Sequence, residues 1–542
     1  MATDGQGKSA RAPNDNVDYS LYLVTDSTMI PESSTFIKQV QEAVDSGVTL
    51  VQLREKSLST LEFVKRAEEV HSITKKKGIP LIINDRIDVA LAIDAEGVHV
   101  GQDDMPAELA RKLLGPNKIL GVTCSNPEEV DVVVKQKVAD YVGLGTVYKT
   151  NTKKNVSDPE GTGPIGIRKM LRVLGDYNKE ADYKIKCVAI GGINHSNADK
   201  VLYQCQVTEQ KLDGVAVVSC IMASADARKA TLDLAKIIAS EPAFSITTRL
   251  SESNLDSFSK RHGIKTLGQV QPLVHHITNN VVKNFSANVT LSIGASPIMS
   301  ELAEEFDELV GNAKHIALVL NLGTPSPDMM SVFKQAIQVY NKYGKHIIFD
   351  PVACGATKAR LECARILLNT GHVSVIKGNV GEIMSVWKLT TFYIAKSVGE
   401  SNTMRGVDSI FNLSEHILLE RARQVASEFK TVVVVTGKKN FTVSPTGIVR
   451  SCLGGSPLMG KITGTGCSLG STIAAFLAAG ADGELEQDST CVFDAATIAV
   501  EMYNSAGKQA AVSVSTPGSF STKFLDHLSR GQDLIPTLFS RP

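Results

Sequence analysis

Asp85 ends the apolar run PLIIND, and Asp103 and Asp104 close the next one, GVHVGQDD, so carboxylates stand at the ends of consecutive runs. The preceding run, TLVQLRE, carries Gln52, Arg54 and Lys56 at alternate positions, which share one side of an extended segment. Two of those three are cations. Facing carboxylates beside cations suit hydrated magnesium and a polyphosphate, because the hard cation takes oxygen ligands and the phosphate oxygens need neutralising. Asp and Asn are also favoured helix caps, so any one of them alone reads equally well as a cap. Their joint occurrence argues for a site. Further on, YKTNTKKN supplies the hydroxyls of Thr150 and Thr152 and the cation of Lys153. Gly191-Gly192 and Val218-Ser219 end two later runs, where main-chain N–H groups can cradle a phosphate.

A second set of chemical residues lies in the other half. Gly464-Thr465-Gly466-Cys467 opens directly into an apolar helix pattern, STIAAFLAAG, an arrangement whose free N–H groups hold an anion. Upstream, Asp350 ends a run before DPVACGAT, Asn379 and Glu382 are spaced N-x-x-E after another, and Thr436-Gly437 end a third. An anion turn with acidic magnesium anchors reads as phosphoryl transfer. The chain contains no G-x-x-x-x-G-K-[ST] phosphate loop, so a nucleotide site here must be of another kind.

The elements that must position these residues are legible as runs. LYLVTD, TLVQLRE, PLIIND, GVHVGQ, KILGVT, YVGLGT, KCVAIGG and DGVAVVS alternate with amphipathic stretches, and eight βα units predict a closed (β/α)8, or TIM, barrel. Its polar strand ends would then share one mouth. In the second half HIALVLNLG, HIIFDPV, VSVIKGN and TVVVVTG are buried-strand runs too unevenly spaced for a barrel, so an open α/β layered sheet is expected, with FTVSPTG and IVRSCLGG as an edge hairpin. We place a polar tail at 1–17, the barrel at 18–240, a linker at 241–263 and the second domain at 264–542. The 542 residues carry 57 basic and 57 acidic groups, which argues against nucleic acid or an anionic membrane and for small-molecule partners. Nine cysteines without C-x-x-C pairs point to a reducing, cytoplasmic setting. His275-His276 stand on a strand, so they face opposite ways and read as packing rather than metal ligation.

VQLREK, NDR, GQDDMP, GVT, TNTKK, GGI and VVS, in that order, resemble the motifs of thiamine-phosphate synthase over roughly 18–238. The resemblance implies that Gln52, Leu53, Arg54, Glu55, Lys56, Asn84, Thr123 and Lys153 bind hydroxymethylpyrimidine diphosphate. It implies Asp85 and Asp104 for magnesium, and Thr150, Asn151, Thr152, Gly192, Val218 and Ser219 for thiazole phosphate. Thr123 stands where that family usually has Ser, and the segment from Lys153 to Gly191 is longer than usual; Thr keeps the hydroxyl. From about Thr266 onward, PLVHHITNNVVKNFSANVTLSIGASPIM with the motifs above resembles hydroxyethylthiazole kinase, of ribokinase-like fold. That resemblance implies Met299 and Gly464 at the thiazole alcohol, Arg360 and Thr436 at ATP, Asn379 and Glu382 associated with magnesium, and Cys467 beside the attacking hydroxyl. An ordinary thiol is mostly protonated at neutral pH, whereas a helix N-terminus favours the thiolate, so proton acceptor and positioning group are both open roles for Cys467. The family also implies a homo-oligomer built on a kinase trimer, possibly extended to a hexamer by the fusion.

The expectation is therefore a two-activity enzyme of thiamine biosynthesis. A binding or sensing module without turnover is the alternative from another class, against which Asp85, Asp104, Lys153, Glu382 and Cys467 all stand. A Schiff-base aldolase would need a buried lysine in an apolar pocket, and its candidates, Lys56 and Lys153, have phosphate-type neighbours.

Overall fold

The computed structural model describes residues 16–150, 160–245, 264–393, 404–405, 408–409, 413–480 and 489–531. The chain divides into two units, 1–242 and 243–542, each with its own core.

In the first unit eight short parallel strands close into a barrel: β1 (Leu21–Val24), β2 (Leu50–Leu53), β3 (Leu81–Asn84), β4 (Gly97–Val100), β5 (Ile119–Cys124), β6 (Tyr141–Gly145), β7 (Lys186–Ile190) and β8 (Gly214–Val217). Each coincides with one of the eight runs, and β8 pairs back onto β1 through Leu21 and Val215. Strand alternation separates two cores. Leu21, Leu23, Val51, Leu53, Leu81, Ile83 and Val98 face the surrounding helices. Tyr22, Leu50, Ile82, Ile119, Tyr141, Val188 and Ala216 fill the lumen. Helices end where sequence chemistry demands. Helix Thr60–Lys76 begins with a Ser59/Glu62 capping box, and helix Pro127–Gln136 has Asn126 as N-cap and Pro at its first turn.

The second unit is an eight-stranded sheet in the order β10-β9-β11-β12-β13-β16-β17-β18. Its strands are β9 (Leu273–Ile277), β10 (Ser296–Ile298), β11 (Ile316–Asn321), β12 (His346–Asp350), β13 (Val375–Asn379), β16 (Val432–Thr436), β17 (Lys439–Val443) and β18 (Val449–Leu453); the two-residue strands β14 (Met404–Arg405) and β15 (Asp408–Ser409) pair with each other. The six strands from β10 to β16 are parallel, and β17 and β18 form the antiparallel edge hairpin that the alternating pattern predicts. Helix Thr465–Ala479, buried along most of its length, packs on β9, β11 and β12. Phe244, within the stretch expected to be linker, is buried and stacks on His372 with ring centroids 5.4 Å apart. None of the described helices is long and apolar enough to cross a membrane.

Candidate active sites

The barrel mouth gathers residues from the carboxyl ends of its strands. Gln52 sits in the lumen, and its amide nitrogen donates to the Tyr22 hydroxyl at 2.7 Å. Two residues on, Arg54 reaches Asp26 at 3.3 Å, and its N–H donates to Thr25 Oγ1 at 3.0 Å. The intervening side chains turn the other way: Leu53 belongs to the outer core, and Glu55 is tied to Arg66 at 2.7 Å and to Ser27 at 2.8 Å. Leu53 and Glu55 can offer a ligand only main chain.

Asp85 leaves β3 with φ 60°, a left-handed conformation that Asp tolerates, and its N–H donates to the His99 carbonyl at 2.8 Å. Its carboxylate pairs with Lys56 and shares a hydrogen bond with Asp104. Asp104 in turn accepts from the Gly101 N–H at 2.7 Å. Neither carboxylate caps a helix: Arg86 and Pro106 hold the flanking N-cap positions. Burial and the Asp104 hydrogen bond push the Asp85 carboxyl up; on Asp104 burial acts upward too, but the hydrogen bonds from Asp85 and Gly101 outweigh it. A proton bound by the pair would favour Asp85 over Asp104. Beside it the Asn84 amide nitrogen is buried with no hydrogen-bond partner among the described residues. Lys56 is 54% exposed and paired, so it is not the buried lysine an aldolase requires; the other candidate, Lys153, lies outside the described residues.

Opposite, the loop after β7 lies against the loop after β6. Tyr148 N–H donates to the Gly191 carbonyl at 3.0 Å, and a Cβ on Gly192 would fall 2.7 Å from the Lys149 carbonyl. Gly191 and Gly192 have φ of 102° and 67°. Glycine is what lets these main chains meet, bringing Gly192 to the loop that carries Thr150. Val218 and Ser219 begin a four-residue helix after β8. Asn151, Thr152 and Lys153 lie outside the described residues.

In the second unit the carboxyl ends of the parallel strands form the rim. Asn321 and Asp350 are register partners at the ends of β11 and β12, and Asn379 pairs with Thr436 across β13 and β16. Asp350 is fully buried, ion-paired with Lys377 at 2.8 Å and hydrogen-bonded to Asn321 at 3.1 Å. Its second oxygen is buried without a partner among the described residues. Lys377 also donates to the Gly466 carbonyl at 2.7 Å, joining this carboxylate to the anion turn. Burial pulls Lys377 down, but Asp350 outweighs it and holds the ammonium above the ordinary lysine range. Lys377 and Asn321 were not among the residues singled out in the sequence. Their signal was there: a lysine inside VSVIKGN and an asparagine closing HIALVLN are polar groups in buried strands, which need partners.

Asn379 and Glu382 form a capping box for helix Val380–Trp387: Asn379 accepts from the Glu382 N–H at 3.0 Å, and Glu382 accepts from Asn379 at 2.8 Å and from Ala353 at 2.9 Å. Burial, then Asp350, pushes Glu382 up to about 7. Gly464, φ 94°, caps helix Thr465–Ala479. Cys467 follows in its first turn beside Asp350 and Asn321. The thiolate expected of a helix N-terminus is not what this surrounding favours: burial and the adjacent Asp350 push the thiol up to about 12. Arg360 donates to the Gly323 carbonyl and to Thr324 Oγ1 at 2.7 Å, and Met299, half-buried, follows β10. His275 bonds Tyr340 at 3.0 Å and the Ser300 carbonyl at 2.8 Å, while His276 turns to Ser471 at 2.9 Å, so both are packing residues.

A closed (β/α)8 barrel and a layered α/β sheet, each with polar residues gathered at the carboxyl ends of its strands, are two enzyme-type domains on one chain. A family model described as thiamine monophosphate synthase matches residues 21–221, and one described as hydroxyethylthiazole kinase family matches 264–532. The thiamine biosynthetic bifunctional enzyme of Saccharomyces cerevisiae is 41% identical over 538 residues, 95% of each chain. The probable thiamine biosynthetic bifunctional enzyme of Schizosaccharomyces pombe is 40% identical over 520 residues, covering 94% of this chain and 95% of that one. The thiamine-phosphate synthase of Clostridium novyi is 42% identical over 222 residues, 41% of this chain and all of the other. The chain belongs to the family of thiamine biosynthetic bifunctional enzymes, and carries thiamine-phosphate synthase and hydroxyethylthiazole kinase activities.

Proposed function

We propose that the barrel mouth binds hydroxymethylpyrimidine diphosphate through Gln52, Arg54, Lys56, Asn84, Thr123 and Lys153, and thiazole phosphate through Thr150, Asn151, Thr152, Gly192, Val218 and Ser219. The observation that carries this reading is the Asp85–Asp104 pair, in mutual hydrogen-bond contact beside Lys56 and the unpartnered amide of Asn84. Carboxylates so close persist with a shared proton or with a cation between them, and an all-oxygen set fits magnesium. Bound there, magnesium would neutralise diphosphate oxygens as they gain charge. The carbon–oxygen bond from the pyrimidine methylene to diphosphate breaks and its electron pair departs with diphosphate. The thiazole nitrogen then forms the new carbon–nitrogen bond from its own lone pair, so no base is needed. Arg54 and Lys56 stabilise the leaving group, and Asp26 orients Arg54.

In the second unit ATP would lie against Arg360 and Thr436, and the thiazole alcohol against Met299 and Gly464. Asp350, one of whose buried oxygens has no partner among the described residues, and the Asn379/Glu382 capping box would hold hydrated magnesium. Cys467, kept protonated by burial, positions the alcohol rather than taking its proton. The nine free cysteines support a reducing, cytoplasmic location, and family resemblance supports the trimer-based homo-oligomer.

Synthase rate measured against magnesium concentration, for the wild type and Asp104→Asn, tests the metal assignment. The variant should need at least about tenfold more magnesium, since it loses one of two charged ligands. Superimposable magnesium curves would show that Asp104 is not a ligand.

A further inference from the structure

Inside the barrel, below the mouth, runs a continuous line of polar side chains that the reaction as described does not use. Gln52 donates to Tyr22 at 2.7 Å, the Tyr22 and Tyr141 hydroxyls lie 2.7 Å apart, Tyr141 meets His99 Nδ1 at 2.9 Å, and His99 Nε2 meets Thr123 Oγ1 at 2.8 Å. The line starts and ends on residues assigned to the pyrimidine diphosphate. Tyr22 and Tyr141 are at most 1% exposed and His99 8%. The lumen is shaped around them: a Cβ on Gly121 would fall 2.4 Å from the Tyr141 hydroxyl, and one on Gly143 would fall 3.3 Å from the His99 ring. Larger residues on β5 and β6 would displace the line.

Hydrogen-bond accounting gives the line a direction. With the Gln52 amide nitrogen donating, the Tyr22 proton must go to Tyr141, because the reverse order leaves it buried with no acceptor among the described residues. Tyr141 then donates to His99 Nδ1, and a neutral His99 carries its proton on Nε2 and donates to Thr123. Two groups remain uncommitted and face the mouth. The Gln52 carbonyl oxygen is an acceptor, and the Thr123 hydroxyl proton is a donor. The ligand wants that polarity: an exocyclic amine on the pyrimidine donates, whereas diphosphate oxygens only accept. The His99 main chain adds a second link, since its carbonyl fixes the Asp85 N–H at 2.8 Å.

We propose that Tyr22, Tyr141 and His99 are positioning residues forming a directional relay, which presents Gln52 as acceptor and Thr123 as donor to the pyrimidine diphosphate. This rests on the placement of that substrate at the mouth. Burial keeps both phenols protonated, consistent with their role as donors.

The test uses the full chain, whose kinase activity serves as an internal control for folding. Tyr141→Phe removes one hydroxyl and keeps the ring. It should raise KM for pyrimidine diphosphate about tenfold, a loss of one buried hydrogen-bond link, while KM for thiazole phosphate and kinase activity stay within about twofold of wild-type values and the barrel's melting temperature falls by about 2–8 °C, because Tyr22 and His99 lose a buried partner. His99→Gln, which retains a donor, should recover part of the activity lost in His99→Leu. Nitrogen NMR should find His99 as the neutral Nε2–H tautomer, its signal assigned by loss in His99→Gln. An unchanged KM for pyrimidine diphosphate in Tyr141→Phe, a rise of both KM values together, or the Nδ1–H tautomer would overturn the relay. Arg54→Ala separates the two layers of the claim: if it leaves synthase kinetics untouched, the substrate placement fails, and if it impairs them while Tyr141→Phe does not, only the relay fails.

Discussion

Lys377 is the clearest case of a side chain whose role follows from its surroundings. A buried ammonium is tolerated only when paired, and here it meets Asp350 at 2.8 Å and the Gly466 carbonyl at 2.7 Å. Removing the charge strands Asp350, whose other oxygen is already unpartnered. Lys377→Met should therefore destabilise the second unit by about 3–5 kcal/mol, the usual penalty for breaking one side of a buried ion pair. Urea unfolding followed at the single tryptophan, Trp387, reads this directly, because that residue packs at the end of helix Val380–Trp387. A change below about 1 kcal/mol would mean that water reaches the site and the pair is ordinary. Cys467 makes the complementary point. Position at a helix N-terminus argued for a thiolate, but burial beside a carboxylate outweighs the helix end.

At the scale of elements, the proposed division of the ligands rests on the loops after the strands. The loop after β7 can approach that after β6 only because Gly191 and Gly192 have no side chains and positive φ. Gly192→Ala should raise KM for thiazole phosphate by tenfold or more, by order of magnitude from about 1–2 kcal/mol of left-handed strain and displaced main chain, with kinase kinetics unchanged. Equal KM values would exclude this loop from the phosphate site. Elements were also what the sequence displayed best. Each barrel strand is a short apolar run ending in a polar residue or glycine, so LYLVTD through DGVAVVS could be counted to eight, and the hairpin of β17 and β18 followed from alternation around a Gly turn. The lumen was less legible. Tyr22, His99 and Tyr141 alternate with outward valines and leucines, which marks them as inward-facing, yet only closure of the barrel brings residues 119 positions apart within 2.7 Å. Asn379 and Glu382 fit two readings from spacing alone, since N-x-x-E serves both a capping box and a hydrated cation; the main-chain bonds establish the first.

For the whole molecule, buried histidines of the second unit set a response to pH. In the second unit His276, His346 and His372 are buried and each is pushed down to about 4, by burial first and with neighbouring positive charge adding to it, while backbone hydrogen bonds to His276 and His372 act the other way. Their unfolded values are near 6.5, so between about pH 6.5 and 4 the unfolded chain binds protons that the folded one refuses. Their contribution to stability is complete above about 6.5 and falls away as the pH drops toward 4, at up to about 1.4 kcal/mol per histidine per pH unit. Kinase activity and the Trp387 signal should thus be lost over that window on acidification, and a second-unit stability that stays flat from pH 7 to 4.5 would contradict the burial of these rings.

The central claim is that one chain carries two chemically separate sites, the synthase site resting on Asp85 and Asp104 at the barrel mouth. Supplying the purified Asp104→Ala chain with hydroxyethylthiazole, ATP, magnesium and hydroxymethylpyrimidine diphosphate, and following both products by chromatography, tests it most directly. The account predicts thiazole phosphate accumulating at the wild-type rate while thiamine phosphate formation falls by about 100-fold or more, the usual scale for losing one charge-stabilising group. Thiamine phosphate appearing at the wild-type rate, or both products lost together, would contradict it.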